Sequence, residues 1–212
     1  MRVATDHREL ILATAARLFA RKPFHEVLMD EVAEAAGIAK GTIYRHYANK
    51  DELFTALALS YMEKLTASLE AAASGGAPPL ERLHAMITAA VREVQERSDF
   101  FQVMQRNECN LAADRRGDFM QRRDTIRACF VRVIEEAIAR GDLRCPFPTF
   151  YVGDMIMGMI RTVLRFNDPQ PQARELADMI LFVVTSGLGA NAAAELPHSK
   201  VPVSKGHSDD AK

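Results

Sequence analysis

The chain has 212 residues, of which 48% are hydrophobic and 26% are charged, and its formal net charge is -1. This composition excludes wholesale disorder, and the near-zero net charge excludes a protein that coats nucleic acid through bulk positive charge. No apolar run is long enough for a membrane span, and the N-terminus lacks the layout of a signal peptide. Three widely spaced cysteines form neither a disulfide pattern nor a zinc pattern. We therefore expect a cytoplasmic protein with no membrane partner.

Apolar residues recur at intervals of three and four along almost the whole chain, which predicts an all-α fold. The first helix is predicted over about residues 6–21, because Pro23 follows and ends it. A short second helix is predicted over about residues 29–36 and stops at Gly37, which can adopt the left-handed backbone conformation of a helix end. A third short helix is predicted over about residues 40–47.

Asn49 is predicted to cap a long fourth helix, because its side chain can accept a hydrogen bond from the first turn. The glycine- and proline-rich stretch at 73–79 breaks the helical pattern, and five more helices are predicted after it. The last two of these cover about 148–166 and 172–191. The helix at 148–166 is apolar on most of its sides, so we expect a second subunit to cover part of it. Residues 195–212 are polar and are predicted to form a disordered tail.

The segment at residues 36–50 contains three basic residues and no acidic one, and its layout is helix, tight glycine turn, helix. This is the helix-turn-helix arrangement, in which the second helix of the pair enters the major groove of DNA. At about 100° per residue, Ile43 and Tyr47 fall on the inner side of the third helix. The side chains left on the outer side can all donate hydrogen bonds, and they are Lys40, Thr42, Tyr44, Arg45 and His46.

These donors match acceptors on double-stranded DNA. Arg45 suits the edge of a guanine, and Lys40 suits a guanine or a phosphate. The hydroxyl groups of Thr42 and Tyr44 suit phosphate oxygens. Lys50 begins the fourth helix, where backbone N–H groups and the helix dipole also favour a phosphate. The sequence therefore predicts a DNA-binding face.

The pattern Gly-x-x-x-Gly-Thr-Ile-Tyr-x-His-Tyr-x-x-Lys at 37–50 and the segment Ile-Leu-Ala-Thr-Ala-Ala-Arg-Leu-Phe at 11–19 resemble the tetracycline-repressor-like (TetR) family of transcription regulators. The resemblance is strong over about residues 5–60. It implies a homodimer that binds a palindromic operator. It also implies that a small-molecule effector enters the C-terminal domain and moves the fourth helix, so that the operator is released. By the same resemblance, the outer residues of the third helix contact DNA and Lys50 binds a phosphate.

Two positions depart from the family pattern. The family commonly has Thr or Ser at the start of the second helix, where this chain has Leu28, and Ser before Lys40, where this chain has Ala39. We expect the second helix to lack that phosphate contact and to use Asp30 as a substitute cap. We expect the third helix to lose on the order of 1 kcal/mol of capping free energy.

The chain is thus divided into a helix-turn-helix DNA-binding domain at 1–50, a helical effector-binding and dimerisation domain at 51–194, and the tail at 195–212. Aromatic and methionine side chains of the second domain either line an apolar effector pocket or form ordinary core. A carboxylate or amide among them could orient the polar end of a ligand. The residues predicted for the effector site are Phe101, Met104, Glu108, Phe119, Phe130, Met155 and Met159.

The alternative class is a small-molecule-binding helical protein, or a helical enzyme, without a DNA role. A di-iron helical bundle needs two Glu-x-x-His motifs. The chain offers Glu81 with His84, but the second match contains Pro197 and lies in the predicted tail. We therefore predict no catalytic site, no metal and no cofactor, and a sequence-specific transcriptional regulator, specifically a repressor released by a small-molecule effector.

Overall fold

The computed structural model describes residues 7–106, 111–112 and 115–188, and the predicted tail at 195–212 lies outside them. Within these residues the fold is all-α, as the apolar periodicity predicts. A short 3-10 turn at Phe24–Glu26 follows the first helix. The helices are α1 His7–Arg21, α2 Met29–Ala35, α3 Lys40–His46, α4 Lys50–Ala73, α5 Pro79–Glu96, α6 Ser98–Arg106, α7 Arg116–Ala139, α8 Thr149–Phe166 and α9 Ala173–Leu188.

The first three helices form a small N-terminal domain. α1 packs against α2 and α4, and α2 packs against α3. Ile11 and Phe19 on α1, Val32 on α2 and Ile43 on α3 are completely buried at the centre of this arrangement. Because these short helices bury their apolar side chains on one another, tertiary packing rather than helix propensity holds them in place.

α4 is long enough to belong to both parts of the molecule, since 24 residues extend over about 36 Å. Its start is well capped, as predicted. The side chain of Asn49 accepts a hydrogen bond from the backbone N–H of Glu52 at 2.8 Å, and the carboxylate of Glu52 accepts one from the N–H of Ala48 at 2.7 Å. This reciprocal pair satisfies two backbone donors at the helix start and fixes where α4 begins relative to α3.

The C-terminal domain is a helical bundle in which α4, α5 and α7 pack against one another, α8 packs on α7, and α9 packs on α5. Gly153 allows the close approach of α8 to α7, because a Cβ atom at this position would lie 3.3 Å from Cγ of Arg127. None of the described helices is both long and apolar enough to cross a membrane.

Candidate nucleic-acid interface

The turn between α2 and α3 is set by a glycine in the left-handed conformation. Gly37 has φ +66°. Its N–H donates to the carbonyl of Glu34, and the N–H of Ile38 donates to the carbonyl of Ala33, both at 3.0 Å. This is the Schellman ending of a helix. It satisfies two carbonyl groups at the end of α2 and directs the chain into α3.

The inner face of α3 is fixed by burial. Ile43 is completely buried and Tyr47 is 4% exposed, as the helical spacing predicts. Four of the predicted donors are exposed on the opposite side, and they are Lys40, Tyr44, Arg45 and His46. The fifth, Thr42, is half-buried. The structure therefore leaves open to solvent a face of α3 that can meet DNA.

Both helices of this pair begin without a side-chain cap. Leu28 and Ala39 hold the extended backbone conformation of capping residues, but neither side chain accepts a hydrogen bond from its helix. The third helix therefore lacks a side-chain cap, as expected, and the free energy that this costs stays a prediction. The expectation that Asp30 caps the second helix is wrong, because its carboxylate accepts a hydrogen bond from Lys40 instead.

Lys50 lies at the first position of α4, next to the end of α3. Its ammonium group donates to the carbonyl oxygen of His25 at 3.1 Å and lies 4.8 Å from the centre of the Phe24 ring. These contacts hold the charge of Lys50 at the start of the helix. Its predicted role, binding a phosphate, uses the same position.

α4 contacts both the first helix and the segments around α6. The ring of Phe54 on α4 lies 5.4 Å from that of Phe19 and 5.9 Å from that of Phe100, measured between ring centres. The hydroxyl of Thr55, which is completely buried, accepts a hydrogen bond from the N–H of Ala112 at 2.8 Å. Sequence patterns did not single out Thr55, because a threonine on an apolar helix face resembles an ordinary core position.

The predicted effector residues fall into three groups. Met159 is half-buried on α8, whereas Met155 is 60% exposed on the same helix. Glu108 lies outside the described residues. The remaining four are buried in the bundle: Phe101, Met104, Phe119 and Phe130.

A cleft of about 400 Å³ lies where α1, α4 and the start of α7 meet. No predicted effector residue lines it. Its walls carry both signs of charge, and the charged lining residues are Arg8, Glu9, Glu63, Arg115, Asp118 and Arg122. This polar space between the two domains was not predicted from the sequence.

Several large apolar side chains of α8 and α9 are exposed to solvent. Exposed apolar surface favours contact with another macromolecule. We call it the apolar face, and its members are Tyr151, Met155, Phe166, Met179, Phe182 and Val183.

Two titratable groups outside α3 have defined surroundings, His84 and Cys129. A ring nitrogen of His84 on α5 lies 2.8 Å from a carboxylate oxygen of Asp178 on α9, so this histidine joins two helices. Burial raises the pKa of the Cys129 thiol, and the nearby carboxylate of Glu70 raises it further. Among the residues that the structure describes, no three His, Cys, Asp or Glu side chains are grouped to hold a metal ion.

The fold and the exposed face of α3 define a helix-turn-helix DNA-binding protein with a helical C-terminal domain. Two family models match it: "Bacterial regulatory proteins, tetR family" over residues 11–57, and "Tetracyclin repressor-like, C-terminal domain" over residues 76–188. The chain belongs to the TetR family, and it is a DNA-binding transcriptional regulator.

Relatives and solved structures agree with this membership. The chain is 27% identical over 186 residues to the HTH-type transcriptional repressor KstR2 of Mycobacterium tuberculosis, covering 86% of this chain and 93% of the relative. It is similar to a TetR-family regulatory protein from Rhodococcus RHA1, with a TM-score of 0.77, 22% identity, and coverage of 88% of this chain and 98% of that one. It is also similar in fold to FadR from Bacillus subtilis in complex with stearoyl-CoA, with a TM-score of 0.74, 20% identity, and coverage of 85% and 98%.

Proposed function

We propose that two copies of this chain form a dimer that represses transcription by placing α3 of each subunit on a palindromic operator, and that a small-molecule effector releases it. The exposed row of donors on α3 carries the proposal, because the glycine turn and the burial of Ile43 and Tyr47 fix its direction. Repression is supported by the name of the KstR2 relative. A cytoplasmic location follows from the proposed partner, which is chromosomal DNA.

The test is a fluorescence-anisotropy titration against duplex DNA from upstream of the protein's own gene. Replacing Arg45 and Tyr44 by alanine in both subunits removes contacts worth about 1–3 kcal/mol for each well-made arginine–base pair. We therefore expect the specific affinity to fall by about a hundredfold or more, while circular dichroism and the oligomeric state stay unchanged. Arg132→Ala is the matched control, because Arg132 is an exposed arginine on α7, in the other domain.

Unchanged operator affinity in the Arg45→Ala, Tyr44→Ala variant would reject the assigned face. Ligand binding by the wild-type protein without any salt-dependent affinity for duplex DNA would favour the alternative class, a helical small-molecule-binding protein. The same titration at two salt concentrations distinguishes these two results.

For the effector, we propose an acyl-CoA thioester. The similarity to a FadR structure that holds stearoyl-CoA suggests the class. The buried side chains of Phe101, Met104, Phe119 and Phe130, with Met159, supply an apolar interior that can open for an acyl chain. Arg115 and Arg122 line the polar cleft at the start of α7, about one helical turn before and after Phe119. Their partners are Asp118 and Glu63, and phosphate groups of the ligand would replace these carboxylates.

Thermal unfolding in the presence of stearoyl-CoA tests this choice, because a ligand that binds only the folded state raises the unfolding temperature. We expect stearoyl-CoA to raise it and to release the operator duplex, since release requires tighter binding to the DNA-incompetent state. Stearate and free CoA, each lacking half of the ligand, should act more weakly. If stearoyl-CoA, stearate and free CoA all leave the unfolding temperature unchanged, the acyl-CoA class is wrong. The proposal of operator binding is not affected by that result.

A further inference from the structure

The DNA-facing side of the helix-turn-helix contains an ion pair that the sequence patterns did not reveal. The ammonium group of Lys40 lies 2.5 Å from a carboxylate oxygen of Asp30. Lys40 is the first residue of α3 and Asp30 is in the first turn of α2. The pair therefore connects the N-terminal ends of the two helices. Both side chains are accessible, at 70% and 46% of their surface.

The pair places a negative charge beside the residue that is predicted to touch DNA and leaves that residue's own charge unchanged. The hydrogen bond from Lys40 to Asp30, together with the attraction between their charges, raises the pKa of the lysine, and Tyr44 and Glu34 add smaller attractions. Lys40 keeps the positive charge that any lysine carries at neutral pH, and the carboxylate of Asp30 lies beside it. To an approaching phosphate, the two groups together present almost no net charge.

From this arrangement, and on the basis of the proposed function, we infer that Asp30 is a specificity-determining residue that suppresses sequence-independent DNA binding by neutralising Lys40. Binding without sequence preference comes from lysine and arginine charges that displace counterions from phosphates. A lysine paired with a carboxylate has to give up that partner before it can bind a phosphate, and the carboxylate itself is repelled by the DNA backbone. At a G·C pair the same two groups fit, because lysine can donate to guanine while aspartate accepts from the cytosine amine.

The chain offers a matched control on the next residue of α2. Glu31 accepts a hydrogen bond from Lys22 at 2.5 Å, and both side chains of that pair are accessible too. Asp30 and Glu31 both lie in the first turn of α2. Asp30→Asn and Glu31→Gln therefore change the net charge and the helix-start electrostatics equally, but only Asp30→Asn releases the lysine of the reading helix.

The experiment measures affinity for the operator duplex and for a scrambled duplex of the same length, over a range of salt concentrations. For Asp30→Asn we expect several-fold tighter binding to the scrambled duplex. We also expect the slope of log K against log salt concentration to be steeper by about 0.9 for each subunit that gains a phosphate contact. Operator affinity should change less, so the ratio of specific to non-specific affinity should fall. In a Lys40→Ala background, Asp30→Asn should have no further effect.

Each other outcome overturns the inference. An unchanged salt dependence in Asp30→Asn would show that Lys40 is not released towards phosphates. An equal change in Glu31→Gln, or persistence of the effect in the Lys40→Ala background, would show that only net charge matters. Absence of salt-dependent duplex binding by the wild-type protein would reject the proposed function and this inference together, whereas the first three results reject the inference alone. Circular dichroism of each variant confirms that it is folded.

Discussion

At the scale of single residues, Leu28 occupies the N-cap position of α2, although its side chain cannot accept a hydrogen bond. It precedes α2 with φ -106° and ψ 144°, the extended conformation of an N-cap, and its side chain is 62% exposed. A hydroxyl at this position would accept a hydrogen bond from the first turn, and Glu31 three residues later would complete a capping box.

We predict that Leu28→Thr raises the free energy of unfolding by about 1 kcal/mol, because it supplies the missing cap. The measurement is chemical denaturation of the wild type and the variant. Leu28→Ala is the control, since it removes the same exposed apolar side chain without adding a cap. If Leu28→Thr is no more stable than Leu28→Ala, the start of α2 does not need a side-chain cap.

The residue scale also shows what a sequence can and cannot reveal. Gly37, Ile43, Tyr47 and Asn49 were predicted correctly, because turn geometry, helical spacing and capping each depend on a few neighbouring residues. The ion pair of Asp30 with Lys40 was not predicted, because the two residues are ten positions apart and lie on different helices. Ion pairs between elements depend on tertiary packing, which local patterns do not contain.

At the scale of helices, a hydrogen bond from the N–H of Ala112 to the hydroxyl of Thr55 connects α4 to the segment after α6. The Thr55 hydroxyl makes two hydrogen bonds: it donates to the carbonyl of Asp51 at 2.7 Å and accepts from the N–H of Ala112. The first stays within α4. The second joins α4 to a separate segment, so it can transmit a displacement.

We predict that Thr55→Val destabilises the protein by about 1–3 kcal/mol, because it leaves the Ala112 N–H without its partner. The variant should also weaken effector-induced release of the operator, measured by anisotropy with and without stearoyl-CoA. Thr66→Val is the matched control, since Thr66 is a buried threonine of α4 whose hydroxyl donates only within its own helix, to Met62. If the two variants lose the same stability and release the operator equally, Thr55 has no special part in effector-induced release.

Helix boundaries were predicted to within a few residues, but the exposed side of α8 was not. Its apolar residues recur so closely that spacing alone does not separate the inner face from the outer one. Ile156 and Ile160 are completely buried, whereas Met155 is largely exposed. The sequence therefore placed Met155 with the effector residues, whereas the structure places it on the apolar face.

At the scale of the whole molecule, the apolar face on α8 and α9 has a composition typical of subunit interfaces, because aromatic and methionine side chains are exposed on both helices. The all-round apolar character of the helix at 148–166 led to the same expectation from sequence. Gly158 adds to it, because no described atom outside its own helix lies within 4 Å of where its Cβ would be, so a partner can approach closely. The proposed function requires a two-fold dimer through this face to place both copies of α3 on the same side of the duplex. Their separation should then be about 34–36 Å, one turn of DNA, or a multiple of it.

Phe182→Arg tests this dimer, since 70% of the Phe182 side chain is exposed at present. In a two-fold interface each substitution occurs twice, so two arginines would enter an apolar contact and lose water. We predict dissociation into monomers, measured by analytical ultracentrifugation. We also predict a loss of operator affinity, because a single helix-turn-helix domain retains only half of the DNA contacts. Met120→Arg is the control: Met120 is an exposed apolar residue of α7, outside the apolar face. A dimer that survives Phe182→Arg but not Met120→Arg would move the interface to α7.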